Sequence, residues 1–425
     1  LDMGPTTVLH TELYFVYKTY CANSREFPPD REERGNPMLG ALTGIRVIEL
    51  SQVLAAPFCG YQFALLGAEV IKVELPEQPD CARGRGPVPG LNAKGIGLTY
   101  QVQGGNKQSL ALDIRKEPGR AALLKLVESA DVFLENYSTG VLEGLGLGYE
   151  ALHEHNPRLV YCSMTGYGDQ GPQAARGAYD NTIQAASGII AQSAGHKPGV
   201  SFVDYAAGYS AAFAIAAALL QRARTGQGCH ISASMLEVAM TLMAPEVAAR
   251  QAAPGAPKQK EAGISAFDTT DHKLMLGSFK PSQYRKLGAC LAAQGYRVPL
   301  LDDINDWTDI WDNSDAIRVA LQDVFILRSA GEWQSVLEAA DIPAEPIVTL
   351  DRAIAAPQLA ERGYFAPSPE DPSLSLPLAG FRMSMGGAGL HSSPPELGQD
   401  SRAVLEGAGL SAAEIDALFA EGIAR

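Results

Sequence analysis

The sequence predicts an α/β protein: a doubly wound large domain followed by a small α+β domain. Three observations carry this. Short β-branched apolar runs alternate with helical stretches between residues 44 and 235. A stretch rich in Pro, Gly and Lys, APGAPKQKEAG (253–263), then breaks the rhythm. At 425 residues, finally, the chain is too long for one ordinary core.

The elements follow in order. Residues 1–38 have no clear period and cross the charged run FPPDREERGNP, so they read as an N-terminal extension, with Met38 the expected start of the folded body. GIRVIEL (44–50) is a strand, AAPFCGYQFALLGA (55–68) a helix with Pro57 in its first turn, and EVIKVE (69–74) a second strand. Such a strand–helix–strand unit is right-handed and parallel. The alternation continues through strand SLALDI (109–114), helix EPGRAALLKLVESA (117–130), strand DVFLEN (131–136) and one or two short helices in 140–155. Strand RLVYCSMTG (158–166) and helix NTIQAASGIIAQSAG (181–195) come next. Residues 39–235 are thus the first part of the large domain, and 236–263 a helix and linker. The small α+β domain is 264–343, with two short strands about a turn at Thr270–Asp271 and helices near 282–294, 315–327 and 330–340. Residues 344–425 change pattern again, with a helix over 351–363, a Pro-rich strand region and two closing helices from Ser401 and Ser411.

The stretch SFVDYAAGYSAAFAIAAALLQRAR (201–224) is the centre of the arrangement. It is Ala-rich and uncharged between Asp204 and Leu220, which predicts a buried central helix. Asp204 at its mouth has two readings: a cap on orphan N–H groups, or an ionised nucleophile or base at the rim of a pocket. Asp180 and Glu237 occupy similar loop-to-helix junctions. In α/β sheets ligands bind beyond the carboxyl ends of the strands, so Asn136–Tyr137 is a site or simply a turn.

Other chemistries are disfavoured. A net charge of −14 argues against nucleic acid as a partner. The six cysteines show no C-x-x-C, which suits free thiols in a reducing compartment and makes cytoplasm the expected location. The apolar run Tyr209–Leu220 is too short for a membrane span, and no secretory pattern opens the chain. The glycine-rich runs GRGPVPG (84–90) and QGGNK (103–107) lie between strands without opening a helix, and neither a dinucleotide nor a P-loop fingerprint occurs. Neither G-x-S-x-G nor a histidine metal spacing is present, so no metal is expected.

The residues themselves add more. LTGIRVIELSQVLAAPFCGYQFALLGAEVIKVE, GNKQSLALD, ADVFLENYSTGVLEGLGLGYEAL, NPRLVYCSMTGYGDQGP, AYDNTIQAASG and RARTGQGCHISASMLE closely resemble the family III CoA transferases. That group includes formyl-CoA transferase and carnitine CoA-transferase, with α-methylacyl-CoA racemase as a relative. IPAEPIVTLDRAIAAPQLAERGYF and LGQDSRAVLEGAGLSAAEIDAL resemble its C-terminal part. The resemblance implies a Rossmann-like large domain that residues 344–425 return to complete, with the small α+β domain inserted in it, an interlocked homodimer, and coenzyme A as a substrate with no tightly bound cofactor. It places the nucleophile on Asp204, which would attack an acyl-CoA thioester and pass through an anhydride and an aspartyl-CoA thioester. Asp180 matches an acidic group that helps orient the nucleophile. Tyr179 stands where the racemases carry a histidine, which favours transfer over racemisation. Gly208, one turn along from Asp204, is expected to keep backbone close to the thioester.

The resemblance also implies a coenzyme site. Asn136 and Tyr137 match positions at the pantetheine–thioester end, and Val53 matches a contact to the nucleotide end. Leu54 replaces an active-site Gln of formyl-CoA transferase, which argues against the smallest acyl groups. Three basic phosphate contacts are matched by Leu75, Gly144 and Gly177, so Lys72, Arg83, Lys107 and Arg176 are the expected substitutes.

Overall fold

The computed structural model describes residues 40–425; the extension expected over 1–38 lies outside them. The chain forms two compact units, one of residues 40–243 with Tyr364–Arg425, the other Ala244–Gly363.

The first unit is an α/β fold around a six-stranded, wholly parallel sheet of order β3-β2-β1-β4-β5-β6. Its strands are β1 (Arg46–Leu50), β2 (Glu69–Glu74), β3 (Lys107–Ala111), β4 (Val132–Glu135), β5 (Val160–Thr165) and β6 (Cys229–Ser234). The register sets Arg46 opposite Glu69, Ile48 opposite Phe133 and Val160 opposite Cys229. Helices cover both faces, which is why the strands read as nearly unbroken apolar runs. Side chains of alternate residues build two cores. Ile48, Leu50, Ile71, Val73, Phe133 and Tyr161 point to one, with α2 (Glu117–Glu128) and the closing helices of the chain. Val47, Val70, Val132, Leu134, Val160 and Cys162 point to the other, under α1 (Ala55–Leu65) and α4 (Phe202–Thr225). Each fully buried aliphatic side chain there contributes about 1.5–3 kcal/mol.

Several boundaries differ from the sequence reading. The helix expected over 181–195 is two, α3 (Asp180–Ala186) and Ile189–Gln192, split at Gly188 in the left-handed region (φ 90°). The connection from β2 to β3 carries short helices at Pro89–Ala93 and Leu98–Gly104, so GRGPVPG does lead into a helix. After β6 the chain makes α5 (Met235–Leu242) and a separate helix, Ala244–Ala252.

The central helix α4 departs further. Val203, Ala207, Ala211, Ile215 and Ala218 are buried, but Tyr205, Tyr209, Phe213 and Leu220 on the other side are exposed. A stretch apolar all round does not reveal which face will be covered. By its 24 residues and mean hydropathy of 1.5, α4 is also long and apolar enough to cross a membrane, which corrects the expectation drawn from the shorter run. In this fold it lies on α1, and a Cβ at Gly208 would stand 2.7 Å from the Ala55 carbonyl oxygen and 2.8 Å from the Phe58 ring. Gly208 therefore serves helix–helix approach rather than a thioester.

The second unit has its own core, built on Phe267, Leu274, Tyr284, Leu321 and Trp333. Its antiparallel sheet joins Ala266–Asp268, Lys273–Leu276 and Ala344–Pro346, flanked by helices Pro281–Ala293, Trp307–Phe325 and Ala330–Ala339. This unit is wider than the 264–343 read from the sequence: its third strand, Ala344–Pro346, follows that span and pairs with Lys273–Leu276.

Candidate active site

In the first unit, β2 and β3 lie on one side of β1 and β4 on the other, so the strand order reverses between β1 and β4. Ligands bind at such a switch point, beyond the carboxyl ends of the strands. A cavity of about 530 Å³ lies there. Its walls are the residues following β1 (Gln52, Val53, Leu54, Ala55), those following β4 (Asn136, Tyr137, Ser138, Thr139) and the end of β5. Arg176, Tyr179 and Asp204 close it. Arg176 is the one cationic side chain among the residues lining it.

Asp204 sits in the first turn of α4, yet it does not cap that helix. Asp180 does: its Oδ1 accepts the Val203 N–H at 2.9 Å and the Asp204 N–H at 3.2 Å, while its Oδ2 accepts from Gln184 Nε2. Asp180 is buried behind the cavity wall. The Asp204 carboxylate is left facing the cavity with no hydrogen bond from any described residue. Burial pushes its pKa up to about 7; the Asp180 charge adds to the rise, and Arg85 and Lys197 oppose it. Neither cation was foreseen: Arg85 comes from a loop more than a hundred residues earlier, and Lys197 from the loop that leads into α4.

A pH dependence follows. The ionised form of Asp204 is the nucleophile, so kcat/KM should rise through about pH 7. In Asp180→Asn the capping oxygen remains, and the Gln184 amide, whose Oε1 has no partner among the described residues, can turn to accept from the new NH₂. Removing the Asp180 charge should move the midpoint to lower pH. It should stay above the ordinary carboxylate range because burial, the larger cause, persists. An unmoved midpoint in a pH–rate profile would exclude this coupling.

Residues 42–401 match the description of CoA-transferase family III. The chain belongs to that family. Over 385 residues it is 32% identical to a succinyl-CoA:glutarate CoA-transferase of Mus musculus, covering 86% of each chain. It is 28% identical to human alpha-methylacyl-CoA racemase, over 90% of this chain and 97% of the relative. A crystal structure of a CAIB/BAIF family protein from Brucella suis superposes with a TM-score of 0.74 at 29% identity, covering 87% of this chain and all of that one. The family match makes the chain an enzyme of the CoA-transferase class.

Within this family III enzyme, the residues expected to touch the coenzyme divide sharply. Val53, Leu54, Asn136, Tyr137, Arg176 and Tyr179 line the cavity with Asp204. Lys72, Arg83, Lys107 and Leu75 do not. Lys72 and Lys107 are buried against Glu49, at 3.4 and 2.7 Å, and Lys72 also pairs with Asp80 at 3.1 Å. Arg83 is committed to Glu74 (2.6 Å) and lies over the Tyr100 ring. A cation used this way has no face left for a phosphate, so these three hold the fold. Leu75 packs against the core on the other side of the sheet. Sequence proximity to the family's basic positions could not reveal that each lysine would meet a buried carboxylate. Glu135, also unforeseen, lies beneath Tyr137, whose N–H it accepts at 2.7 Å; burial pushes its carboxyl up to about 8.

Proposed function

We propose that this enzyme moves coenzyme A from an acyl-CoA donor to a carboxylic acid acceptor, with Asp204 as the nucleophile. The supporting observation is the division of labour between the two aspartates: Asp180 serves the helix end and leaves the Asp204 carboxylate at the cavity wall without a hydrogen bond among the described residues. An Asp204 oxygen attacks the thioester carbonyl carbon, the C–S bond breaks, and a mixed anhydride forms with release of CoA thiolate. The thiolate then attacks the aspartyl carbonyl of the anhydride, freeing the donor acid and leaving an aspartyl-CoA thioester. The acceptor carboxylate repeats the sequence in reverse and restores Asp204. No proton is gained or lost overall. Coenzyme A is thus a substrate, and no resident cofactor or metal takes part.

We read the large unit as Rossmann-like, with the second unit inserted as a separate domain. The chain works as an interlocked homodimer in the cytoplasm, without nucleic-acid or membrane partners. The open apolar face of α4, with Phe213 78% and Leu220 68% exposed, suits burial against a second chain better than contact with water. Incubating the enzyme with acyl-CoA, quenching with hydroxylamine or borohydride and mapping the adduct by mass should place it on Asp204. An adduct on another residue, or none, would remove this mechanism. Racemisation at the α-carbon is the second reading, favoured by the racemase relative and by an Asp204 poised near neutrality as a base. It needs a second base; Tyr179, at the position that distinguishes the two activities, is a phenol and 65% exposed. Solvent deuterium entering the acyl α-carbon without an acceptor acid would select racemisation.

A further inference from the structure

Side chains from elsewhere grip the segment joining β1 to α1. Lys72 Nζ donates to the Ser51 carbonyl at 2.6 Å. Asn136 grips Gln52 twice, accepting its N–H at 2.8 Å and donating to its carbonyl at 2.9 Å. Asp80 Oδ1 accepts the Val53 N–H at 2.9 Å, and Gln103 Nε2 donates to the Val53 carbonyl. Four side chains from three separate stretches thus engage five consecutive main-chain groups. Between them Val53 is forced to φ 69°, a left-handed backbone that a β-branched residue adopts only under constraint.

Gln103 is the most telling member. It is 1% exposed, and its Oε1 has no partner among the described residues. An apolar side chain of that size would bury more cheaply, and among the described residues the one hydrogen bond the Gln103 side chain makes goes to Val53. Asp80 is likewise buried, and its second oxygen is held by Lys72 at 3.1 Å. Gln52, Val53 and Leu54 form the cavity wall after β1, so the shape of this segment is the shape of the site.

We propose that Gln103 and Asp80 are positioning residues that hold Val53 left-handed and so pre-form the wall against which the coenzyme lies. The coenzyme part rests on the function proposed above; the clamp itself does not. Without the clamp, Val53 relaxes toward ordinary backbone and the wall must be rebuilt whenever ligand binds, which weakens binding.

The test uses the full chain and coenzyme A itself. Gln103→Met keeps the volume and removes the donor; Val53→Gly makes the left-handed shape unstrained without it. Gln103→Met should speed hydrogen exchange at the Gln52–Leu54 amides while other core amides keep their protection. It should weaken coenzyme A binding by about tenfold, the worth of roughly one hydrogen bond, and raise KM for acyl-CoA more than it lowers kcat. Adding Val53→Gly should recover most of that loss, a rescue that general destabilisation would not show. Unchanged exchange in Gln103→Met overturns the clamp whatever the ligand is. Faster exchange with unchanged affinity, or no rescue by glycine, overturns its role in binding. If wild-type protein takes up no coenzyme A, the proposed function falls and with it the coenzyme as occupant of this wall, while exchange still decides the clamp.

Discussion

Asp204→Asn should lower kcat for CoA transfer by about 10⁴-fold or more, the scale on which enzymes lose a covalent nucleophile. Coenzyme A should still bind, because an amide at residue 204 fills the same space and the rest of the wall is unchanged. The substitution should also stabilise the fold at neutral pH. The folded pKa of Asp204, about 7, lies above its unfolded value near 3.9, so ionising it in place is unfavourable. Its contribution to stability is therefore present below about pH 4 and is lost as pH rises through 7. Asn carries no such penalty. The variant should unfold at a higher temperature than wild type at pH 8, and the gain should shrink toward pH 4. Loss of activity with a gain of stability is the signature of a carboxylate kept for chemistry. Near-normal turnover would end the proposed mechanism, and lower stability at pH 8 would show that Asp204 supports the fold.

Much of the framework is legible in the sequence because it rests on local patterning. The strands at β1, β2, β4 and β5 announce themselves as short apolar runs, whereas β6, CHISAS, is half-exposed, and the switch point depends on the order in which the strands pair. Asn136 and Tyr137 could be placed at the site because they directly follow β4. What could not be read depends on contacts distant in sequence. Asp204 caps its helix as plausibly as Asp180 does until the fold brings Asp180 to the Val203 and Asp204 amides. Lys72 sits between Ile71 and Val73 as a surface lysine on a half-exposed strand would, and Lys107 sits between Asn106 and Gln108 as a solvated strand end would, yet both converge on Glu49. The role of Gln103 depends on a carbonyl fifty residues earlier in the chain. Charge and amide groups carry little directional signal in one dimension, and their partners are chosen by topology.

Those two lysines supply the second large effect. Glu49 is fully buried; its Oε2 accepts from Lys107 Nζ at 2.7 Å, and its Oε1 faces Lys72 Nζ at 3.4 Å and accepts from Ser51 Oγ at 2.8 Å. Gly60 on α1 makes room for it, since a Cβ there would fall 1.9 Å from Oε2. Burial alone depresses both lysines. At Lys72 the charges of Asp80 and Glu49 outweigh burial and raise its pKa, whereas at Lys107 burial prevails and its pKa is lowered. Glu49→Gln keeps the shape but removes the charge. Lys72 retains Asp80, while Lys107 is left buried with the Pro57 carbonyl, at 2.8 Å, and a neutral amide. Breaking a buried pair in this way costs about 3–5 kcal/mol, which urea unfolding should show as a lowered midpoint at unchanged slope. Adding Lys107→Met removes the stranded ammonium, so the double variant should recover at least half of the loss. A strongly non-additive cycle of that sign is the mark of a coupled pair. If Glu49→Gln unfolded at the wild-type midpoint, the charges would be exchanging with water, and Lys72 and Lys107 would return as candidates for the coenzyme phosphates.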